Sequence, residues 1–234
     1  MNDNIKKLIP VAYIHTDFKE KFGIPRQSGR VSELLGKIVF EPNFSDKDFL
    51  RGIEEFSHLW IIFGFSKAER KNGEKAVHPT VRPPRLGGNK RIGVFASRSP
   101  FRPNGLGLSC VKFEKTEEQN GKTMLYVSGI DMLDGTPIYD IKPYIPYADC
   151  YPDAKGGYAE ENKGHKLEIN ISDNLLKTVA KEKRRAILNC LADDPRPSYQ
   201  NDSERIYVMN FAEYEIKFKI SGKTLYVTDI KTLL

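Results

Sequence analysis

One stretch of the chain, residues 75–113, concentrates positive charge without a balancing carboxylate. It contains no aspartate or glutamate, and its eight basic side chains are Lys75, Arg82, Arg85, Lys90, Arg91, Arg98, Arg102 and Lys112. Segregated positive charge creates a field that attracts anions, and the prolines and glycines of this stretch fix unusual backbone paths. We therefore expect a rigid, basic loop platform whose natural ligands carry phosphate, with RNA or DNA first among them.

A second stretch, residues 131–144, gathers groups that can move protons. Its three carboxylates, one lysine and two tyrosines are Asp131, Asp134, Asp140, Lys142, Tyr139 and Tyr144. A simpler interpretation is a turn, because Asp134-Gly135 and Thr136-Pro137 are ordinary turn pairs. A third stretch, DPRPSY at residues 194–199, is more simply explained as a helix stop than as a functional motif. The sequence alone leaves both alternatives open.

Composition bounds the class of protein. The 234 residues are 39% hydrophobic with a net charge of +6, which allows a real core in one large domain or two small ones. Cys110, Cys150 and Cys190 are far apart and form no CxxC pair, so we expect no metal site and a reducing, cytoplasmic location. The N-terminus carries no apolar leader, and the longest apolar run, residues 59–65, is too short to cross a bilayer. We expect no membrane partner.

The first part of the chain has the pattern of a β protein. Apolar runs predict strands near residues 8–14, 31–40, 59–63, 94–96, 109–114 and 123–128. Asn120-Gly121 between the last two runs predicts a hairpin. No strand–helix alternation, no G-x-G-x-x-G fingerprint and no P-loop motif is present, which disfavours a Rossmann cofactor site. We predict a mostly β chain whose residues 1–150 form a β-barrel domain for cofactor binding and catalysis.

The composition changes after Asp149. Residues 151–164 are polar and contain glycine, which predicts a connecting loop. Beyond it, a helical pattern over about residues 174–191 precedes strand patterns near 206–208, 214–220 and 225–227. Residues 165–234 are therefore predicted to form a small α+β domain.

The unusual motifs also carry a resemblance. In the N-terminal part they are KEKFGIPRQ (19–27), EFSHLW (55–60), VRPPRLGGN (81–89), GVFASRSPFRPN (93–104), DMLDGTP (131–137), DIKPY (140–144) and PYAD (146–149). Together with DPRPSY (194–199), these motifs resemble the TrmO family of S-adenosylmethionine-dependent tRNA methyltransferases. The similarity runs in order along nearly the whole chain. The chain departs from the family's pattern at Ser66 and at Gly105-Leu106, which concerns only the detail of the cofactor pocket.

The resemblance implies a non-Rossmann β-barrel methyltransferase that forms a homodimer. Its expected reaction is N6-methylation of threonylcarbamoyladenosine next to the anticodon of threonine tRNA, with S-adenosylmethionine as the cofactor. Carried over by position, the cofactor-binding residues are Pro25, Arg26, Gln27, Ser66, Lys67, Arg98, Leu108, Asp131, Met132, Leu133 and Asp134. The RNA-binding candidates are Arg82, Arg85, Arg102, Lys142, Arg196 and Tyr199.

The chemistry of this reaction fits these residue types. The target nitrogen lies between an adenine ring and a carbamoyl carbonyl, so it is a poor nucleophile with an acidic proton, and transfer mainly needs positioning. Asp140, or Tyr144 through hydrogen bonding, is our candidate for removing that proton. The alternative is a non-catalytic tRNA- or RNA-binding β-barrel in which the acidic turn is only structural. Its weakness is that such a protein gains nothing from three carboxylates beside an anion-binding face.

Overall fold

The structure of the protein is a computed structural model that describes residues 8–65, 78–83, 86, 90–119, 121–162, 164–197, 200 and 202–233. Its N-terminal part is a closed six-stranded antiparallel barrel with the strand order β1-β2-β7-β6-β3-β8. The barrel strands are β1 (Ala12–Thr16), β2 (Leu35–Phe40), β3 (His58–Gly64), β6 (Leu106–Gln119), β7 (Lys122–Ser128) and β8 (Thr136–Pro143). The predicted mostly β, barrel-based fold is confirmed.

Period-2 alternation fills the barrel. Along β1 the buried residues Ala12, Ile14 and Thr16 alternate with exposed neighbours, as expected for a strand with one face on a core. The same alternation in β3 buries Leu59, Ile61 and Phe63. Pairing of β1 with β8 closes the barrel, with Ile14 opposite Thr136.

Three long connections leave the barrel at one end. At this end Thr16 pairs with Gly36, Leu35 with Ser128, and Gly64 with Leu106. The connections 17–34, 65–105 and 129–135 therefore all begin and finish there, and we call them together the loop end. The other end carries residues 41–57 and the β6–β7 hairpin. Of the predicted cofactor residues that the structure describes, all except Leu108 lie in the three loop-end connections.

The predicted β6–β7 hairpin is present, and Gly121 occupies its turn with φ +70°. A positive φ is readily adopted only by glycine. Another local prediction is wrong, since Val94–Ala96 is a 3-10 turn rather than a strand. Both the backbone N–H and the hydroxyl of Ser97 donate to the carbonyl of Val94, at 3.2 and 2.8 Å, and this closes the chain into a turn. The strands β4 (Thr80–Val81) and β5 (Ile92–Gly93) form a small separate sheet just before it.

The C-terminal part is a second sheet with helices beside it. After the short helix α1 (Pro146–Asp149), strand β9 (Glu168–Asn170) pairs in parallel with β12 (Thr224–Thr232), which continues to β11 (Tyr214–Ser221) and β10 (Tyr207–Phe211). The single helix predicted over 174–191 is two helices, α2 (Asp173–Lys177) and α3 (Lys181–Ala192). The guanidinium of Arg184 donates to the carbonyls of Val179 and Lys177, at 2.8 and 3.3 Å, and these bonds occupy acceptors at the break.

Barrel and C-terminal sheet share one apolar core. The 17–34 connection lies on the C-terminal sheet, where Phe18 meets Phe211 edge-on with ring centroids 5.2 Å apart. A methyl group on Gly23, whose φ is +97°, would lie 2.6 Å from the side chain of Met209, so this close approach requires glycine. The predicted domain boundaries stay a prediction, because the core is continuous across them.

None of the helices in the described ranges has the length and apolar character needed to cross a membrane.

Candidate functional site

The half-buried carboxylate of Asp131 marks the centre of the loop end. Asp131 follows β7, and its Oδ1 accepts a 2.6 Å hydrogen bond from the hydroxyl of Ser109. Ser109 stands on the inner face of β6 and is almost fully buried. The hydrogen bond therefore holds the Asp131 carboxylate over the mouth of the barrel.

The electrostatic state of Asp131 is set by competing effects. Burial raises the pKa of its carboxyl above the ordinary value, and this effect outweighs the Ser109 hydroxyl, backbone N–H groups that include that of Ser28, and the positive charge of Arg98, all of which lower it. An ionised carboxylate in such a place is under-solvated. It gains from any further donor or cation that a bound ligand brings.

Two more predicted cofactor residues meet beside Asp131. The guanidinium of Arg98 donates to the side-chain carbonyl of Gln27, and the amide nitrogen of Gln27 donates to the carbonyl of Arg26 at 2.5 Å. The backbone N–H of Gly29 donates to the carbonyl of Gly129 at 2.8 Å, which ties the first loop-end connection to the third. Thus Gln27, Arg98 and Asp131 come together from three different connections, and we call them the mouth cluster.

The rest of the Asp131–Asp134 motif serves the fold. Met132 and Leu133 are buried, and their carbonyls accept hydrogen bonds from the hydroxyls of Thr16 and Thr136, at 3.2 and 2.7 Å. Their side chains pack inward, so only their backbone is available to a cofactor. Their assignment to the cofactor site stays a prediction.

Asp134 lies in surroundings unlike those of Asp131. Its carboxylate accepts from the backbone N–H of Thr16 at 3.0 Å and from the ammonium of Lys19 at 2.6 Å. Burial alone would raise the pKa of Asp134, but these two donors together with His15 outweigh it and lower the pKa. The carboxylate therefore fastens the end of β1 to the third connection.

Leu108, Asp140 and Tyr144 do not join the mouth cluster of the same chain. Ile62 of β3 stands opposite Leu108 on one side and Asp140 on the other, and both of these side chains are exposed on the outer face of the barrel. Tyr144 hydrogen-bonds through its backbone N–H to the carbonyl of His58 at 2.9 Å, at the end opposite the loop end. Ser109, which holds Asp131, points into the barrel, whereas Asp140 is exposed on the outside. Within one chain the barrel wall therefore separates Asp140 from Asp131.

The predicted RNA-binding residues have different environments. Arg82 is exposed on the second loop-end connection, and Lys142 is exposed on the outer face of β8. Arg102 is half-buried and donates to the carbonyl of Ser97 at 2.7 Å, so it stabilises its own loop. Four predicted site residues, namely Ser66, Lys67, Arg85 and Tyr199, lie outside the described residues.

Arg196 belongs to the seam between the two parts of the chain rather than to an exposed face. Its side chain is only 11% exposed and is ion-paired with Asp194 at 3.1 Å. Its backbone carbonyl accepts a 2.7 Å hydrogen bond from the guanidinium of Arg26. A guanidinium held in this way is poorly presented to phosphate, and the assignment of Arg196 to RNA binding stays a prediction.

Sequence reasoning missed Ser109 and Phe95. Ser109 could have been found, because it is a polar residue at an inward position of the alternating strand β6. Phe95 was assigned to a strand, yet the 3-10 turn leaves its side chain 79% exposed on the basic connection. Among the described residues, no three or more potential metal-ligating side chains cluster together.

Comparison with known proteins shows the family of this chain. The profile of the tRNA-methyltransferase O N-terminal domain matches residues 13–150, and that of the TrmO C-terminal domain matches residues 164–233. The chain belongs to the TrmO family. The tRNA (adenine(37)-N6)-methyltransferase of Escherichia coli K12 is 36% identical over 219 residues, which is 90% of this chain and 92% of the relative.

Other TrmO-family proteins agree in sequence and in fold. A Pseudomonas aeruginosa relative, provisionally named as the S-adenosylmethionine-dependent methyltransferase RcsF, is 41% identical over 82% of each chain. A crystal structure of TrmO from P. aeruginosa superposes with a TM-score of 0.78 at 31% identity and covers 99% of both chains. The likeness therefore extends over barrel and C-terminal sheet alike.

The two aspartates of the TrmO motif are expected to respond oppositely to Asp→Asn substitution. Asp131 has a raised pKa, so its ionisation lowers the free energy of unfolding at neutral pH. This destabilisation disappears as the pH falls through the pKa of the folded state to below the unfolded value near 3.8. Asp131→Asn should therefore raise the unfolding midpoint at pH 7. Asp134 has a lowered pKa, so its stabilisation is present above the unfolded pKa, and Asp134→Asn should lower the midpoint.

The measurement is the urea midpoint of each variant and of the wild type between pH 7 and pH 3. Both differences should shrink as the solution becomes acidic. Equal and same-signed shifts for the two variants at pH 7 would contradict the environments assigned to the two carboxylates.

Proposed function

We propose that this protein transfers a methyl group from S-adenosylmethionine to N6 of threonylcarbamoyladenosine next to the anticodon of threonine tRNA. One observation carries the proposal: a half-buried carboxylate, a guanidinium and a side-chain amide converge at the loop end, beside the second connection, whose residues 75–105 contain no aspartate or glutamate. The TrmO-family relatives that are named tRNA (adenine(37)-N6)-methyltransferases support the reaction class.

The mouth cluster fits the polar groups of the cofactor. S-adenosylmethionine carries a carboxylate, an amino group and a ribose diol, and when bound it supplies the methyl group on its sulfonium. The carboxylate of Asp131 is suited to accept hydrogen bonds from the amino group or the diol, and the guanidinium of Arg98 is suited to pair with the carboxylate. The Gln27 amide, which Arg26 and Arg98 already orient, completes a set of donors and acceptors that needs no glycine fingerprint.

The second loop-end connection presents the groups that an RNA loop requires. Arg82 and Lys90 are exposed on it, and so are the aromatic rings of Phe95 and Phe101, the latter being 50% exposed. Cations contact phosphates, whereas exposed rings stack unpaired bases. We propose that this connection binds the anticodon loop, with Arg82 among the cations that meet phosphate or the threonyl carboxylate.

Proton removal from N6 is the step for which one chain offers no complete arrangement among its described residues. Asp140 and Tyr144, the candidates from the sequence, lie on the outer wall and at the far end of the barrel. Their participation requires two chains to share a site, and it stays a prediction.

We also propose that the protein forms a homodimer through the outer face of β3, β6 and β8. Trp60 and Ile62 of β3 lie on that face, and Ile62 stands opposite Leu108 of β6, which is 56% exposed. Asp140 and Lys142 have opposite charges on the same face, so a two-fold copy can pair them reciprocally.

All three cysteines are free thiols, and we propose a cytoplasmic location, where tRNA is found.

The first test of this function is dependence on the existing tRNA modification. The carbamoyl group acidifies the target N–H and adds a carboxylate, so a site built for both should reject plain adenosine by more than about a hundred-fold. Threonine tRNA isolated with and without threonylcarbamoyladenosine is incubated with enzyme and cofactor, and its nucleosides are measured by mass spectrometry. Equal rates on the two tRNAs would remove the substrate assignment, and no product on either would remove the function.

A second test concerns the exposed ring of Phe95. Loss of a ring that stacks one base costs about 1–3 kcal/mol, so Phe95→Ala should weaken tRNA binding accordingly while cofactor binding is unchanged. Phe49→Ala is the matched control, because Phe49 is also an exposed phenylalanine in a 3-10 turn but lies between β2 and β3, away from the loop end. Equal affinities of the two variants, measured by fluorescence anisotropy with labelled tRNA, would contradict a stacking role.

A third test concerns assembly. Light scattering should give twice the chain mass of 26.7 kDa for the wild type. Leu108→Asp places a charge in the proposed interface and should shift the protein to the monomer mass. Leu35→Asp, which charges another exposed barrel leucine on β2, should leave the dimer intact. A monomeric wild type at micromolar concentration would contradict the proposal.

A further inference from the structure

The connection 17–34, which carries the predicted cofactor residues Pro25 to Gln27, has no helix or strand of its own. Segments longer than about 12–15 residues without secondary structure are uncommon in compact domains, and those that are ordered are usually functional. Such a segment needs contacts from outside to hold one conformation, because each fixed residue loses conformational entropy. The barrel supplies some of these contacts, including the Gly29–Gly129 hydrogen bond at 2.8 Å and the bond from the Asp134 N–H to the Phe18 carbonyl at 2.8 Å.

The C-terminal part supplies polar anchors on both sides of Gln27. On one side, the guanidinium of Arg26 donates to the carbonyl of Arg196 at 2.7 Å. On the other, Nε and Nη2 of Arg30 both lie 2.5 Å from Oδ1 of Asp193, whose side chain is only 5% exposed. Removal of one partner from such a sheltered ion pair leaves an uncompensated charge, so this anchor resists displacement.

Apolar contacts anchor the earlier half of the connection. Phe18 meets Phe211 edge-on, and Phe22 stacks on Tyr207 and Phe218 with centroids 6.4 Å from each. The backbone of Gly23 lies directly against Met209. Sheet strands β10 and β11 therefore form the floor under the segment that leads to Pro25.

We infer that the C-terminal domain positions the cofactor loop, and that Arg30 and Asp193 are positioning residues for S-adenosylmethionine binding. They act through the backbone of residues 26–30: their ion pair holds Gln27 against Arg98 and the Ser28 N–H against Asp131. This inference rests on the proposed function, because it concerns the same site. It gives the C-terminal domain a role in cofactor affinity that does not depend on contact with tRNA.

The test compares Arg30→Gln with Arg51→Gln in the full-length protein. Arg51 also pairs with an aspartate, Asp48, at 2.6 Å, but on an exposed turn between β2 and β3, so its loss controls for the substitution itself. Arg30→Gln should weaken S-adenosylmethionine binding, measured by calorimetry at 25 °C, by about ten-fold or more, because cofactor binding would then have to order residues 26–30 itself. Its kcat at saturating cofactor and its KM for tRNA should stay within about three-fold of wild type.

A conservative variant separates positioning from general stability. Arg30→Lys keeps the charge but cannot aim two N–H groups at one oxygen, so its cofactor Kd should fall between those of Arg30→Gln and wild type. A folded Arg30→Gln with the wild-type Kd would overturn the inference, and so would a variant whose cofactor Kd and tRNA KM worsen equally. If Arg30→Gln does not fold, a wild-type Kd for Arg30→Lys overturns it. A wild-type protein that binds no cofactor refutes the proposed function instead.

Discussion

Closure of the barrel by β1 and β8 is the constraint on which the loop end depends. Ile14 pairs with Thr136 and its carbonyl accepts the Gly135 N–H at 2.9 Å, so the end of β1 lies beside the start of β8. Asp134 strengthens the same corner by accepting the Thr16 N–H and the Lys19 ammonium. Without this closure, β1 and β8 would lie at opposite edges of an open sheet, and Asp134 could not join the end of β1 to the third connection.

The closed barrel also shows how the proposed cofactor site can be built without a Rossmann fold. A doubly wound sheet provides helix N-termini and a glycine-rich turn for its ligand. Here a rigid wall instead fixes Ser109, and three connections supply the side chains that face it. The cost is a carboxylate whose burial raises its pKa, a local loss of stability of the kind that functional sites retain. A protein that only bound RNA would gain nothing from burying Asp131 beside a basic connection, which favours the enzyme over the RNA-binding alternative.

The sequence predicted the fold well, because barrel strands are coded by alternation and by the Asn-Gly turn. The prediction was wrong where hydrogen bonds between nearby residues determine the backbone conformation. Ser97 closes residues 94–96 into a turn, and the Arg184 side chain occupies carbonyls where one predicted helix is in fact two. These hydrogen bonds join residues only a few positions apart. A polar side chain has many possible partners nearby, and no periodic pattern in the sequence indicates which one it bonds.

The candidate site shows a different limit. Asp131 and Asp134 are three residues apart in one motif, and residue type alone gives them the same expected role. Their surroundings differ because Asp131 meets an inward serine of β6 whereas Asp134 meets Lys19 and the end of β1. Both partners are set by tertiary pairing, which residue types in a single sequence do not contain.

Arg26 and Arg30 add a further step to this reasoning. Arginines in a basic protein are usually expected to bind anions. Arg26 instead donates to a carbonyl and Arg30 pairs with the sheltered Asp193, both across the seam to the C-terminal domain. Arg196, on the other side of that seam, is likewise held by Asp194. Arg26, Arg30 and Arg196 thus hold the protein together at the seam, and the proposed contacts with tRNA are left to the exposed cations on the second connection. Net charge therefore says little about which arginines bind RNA, and the burial of each guanidinium decides between the two uses.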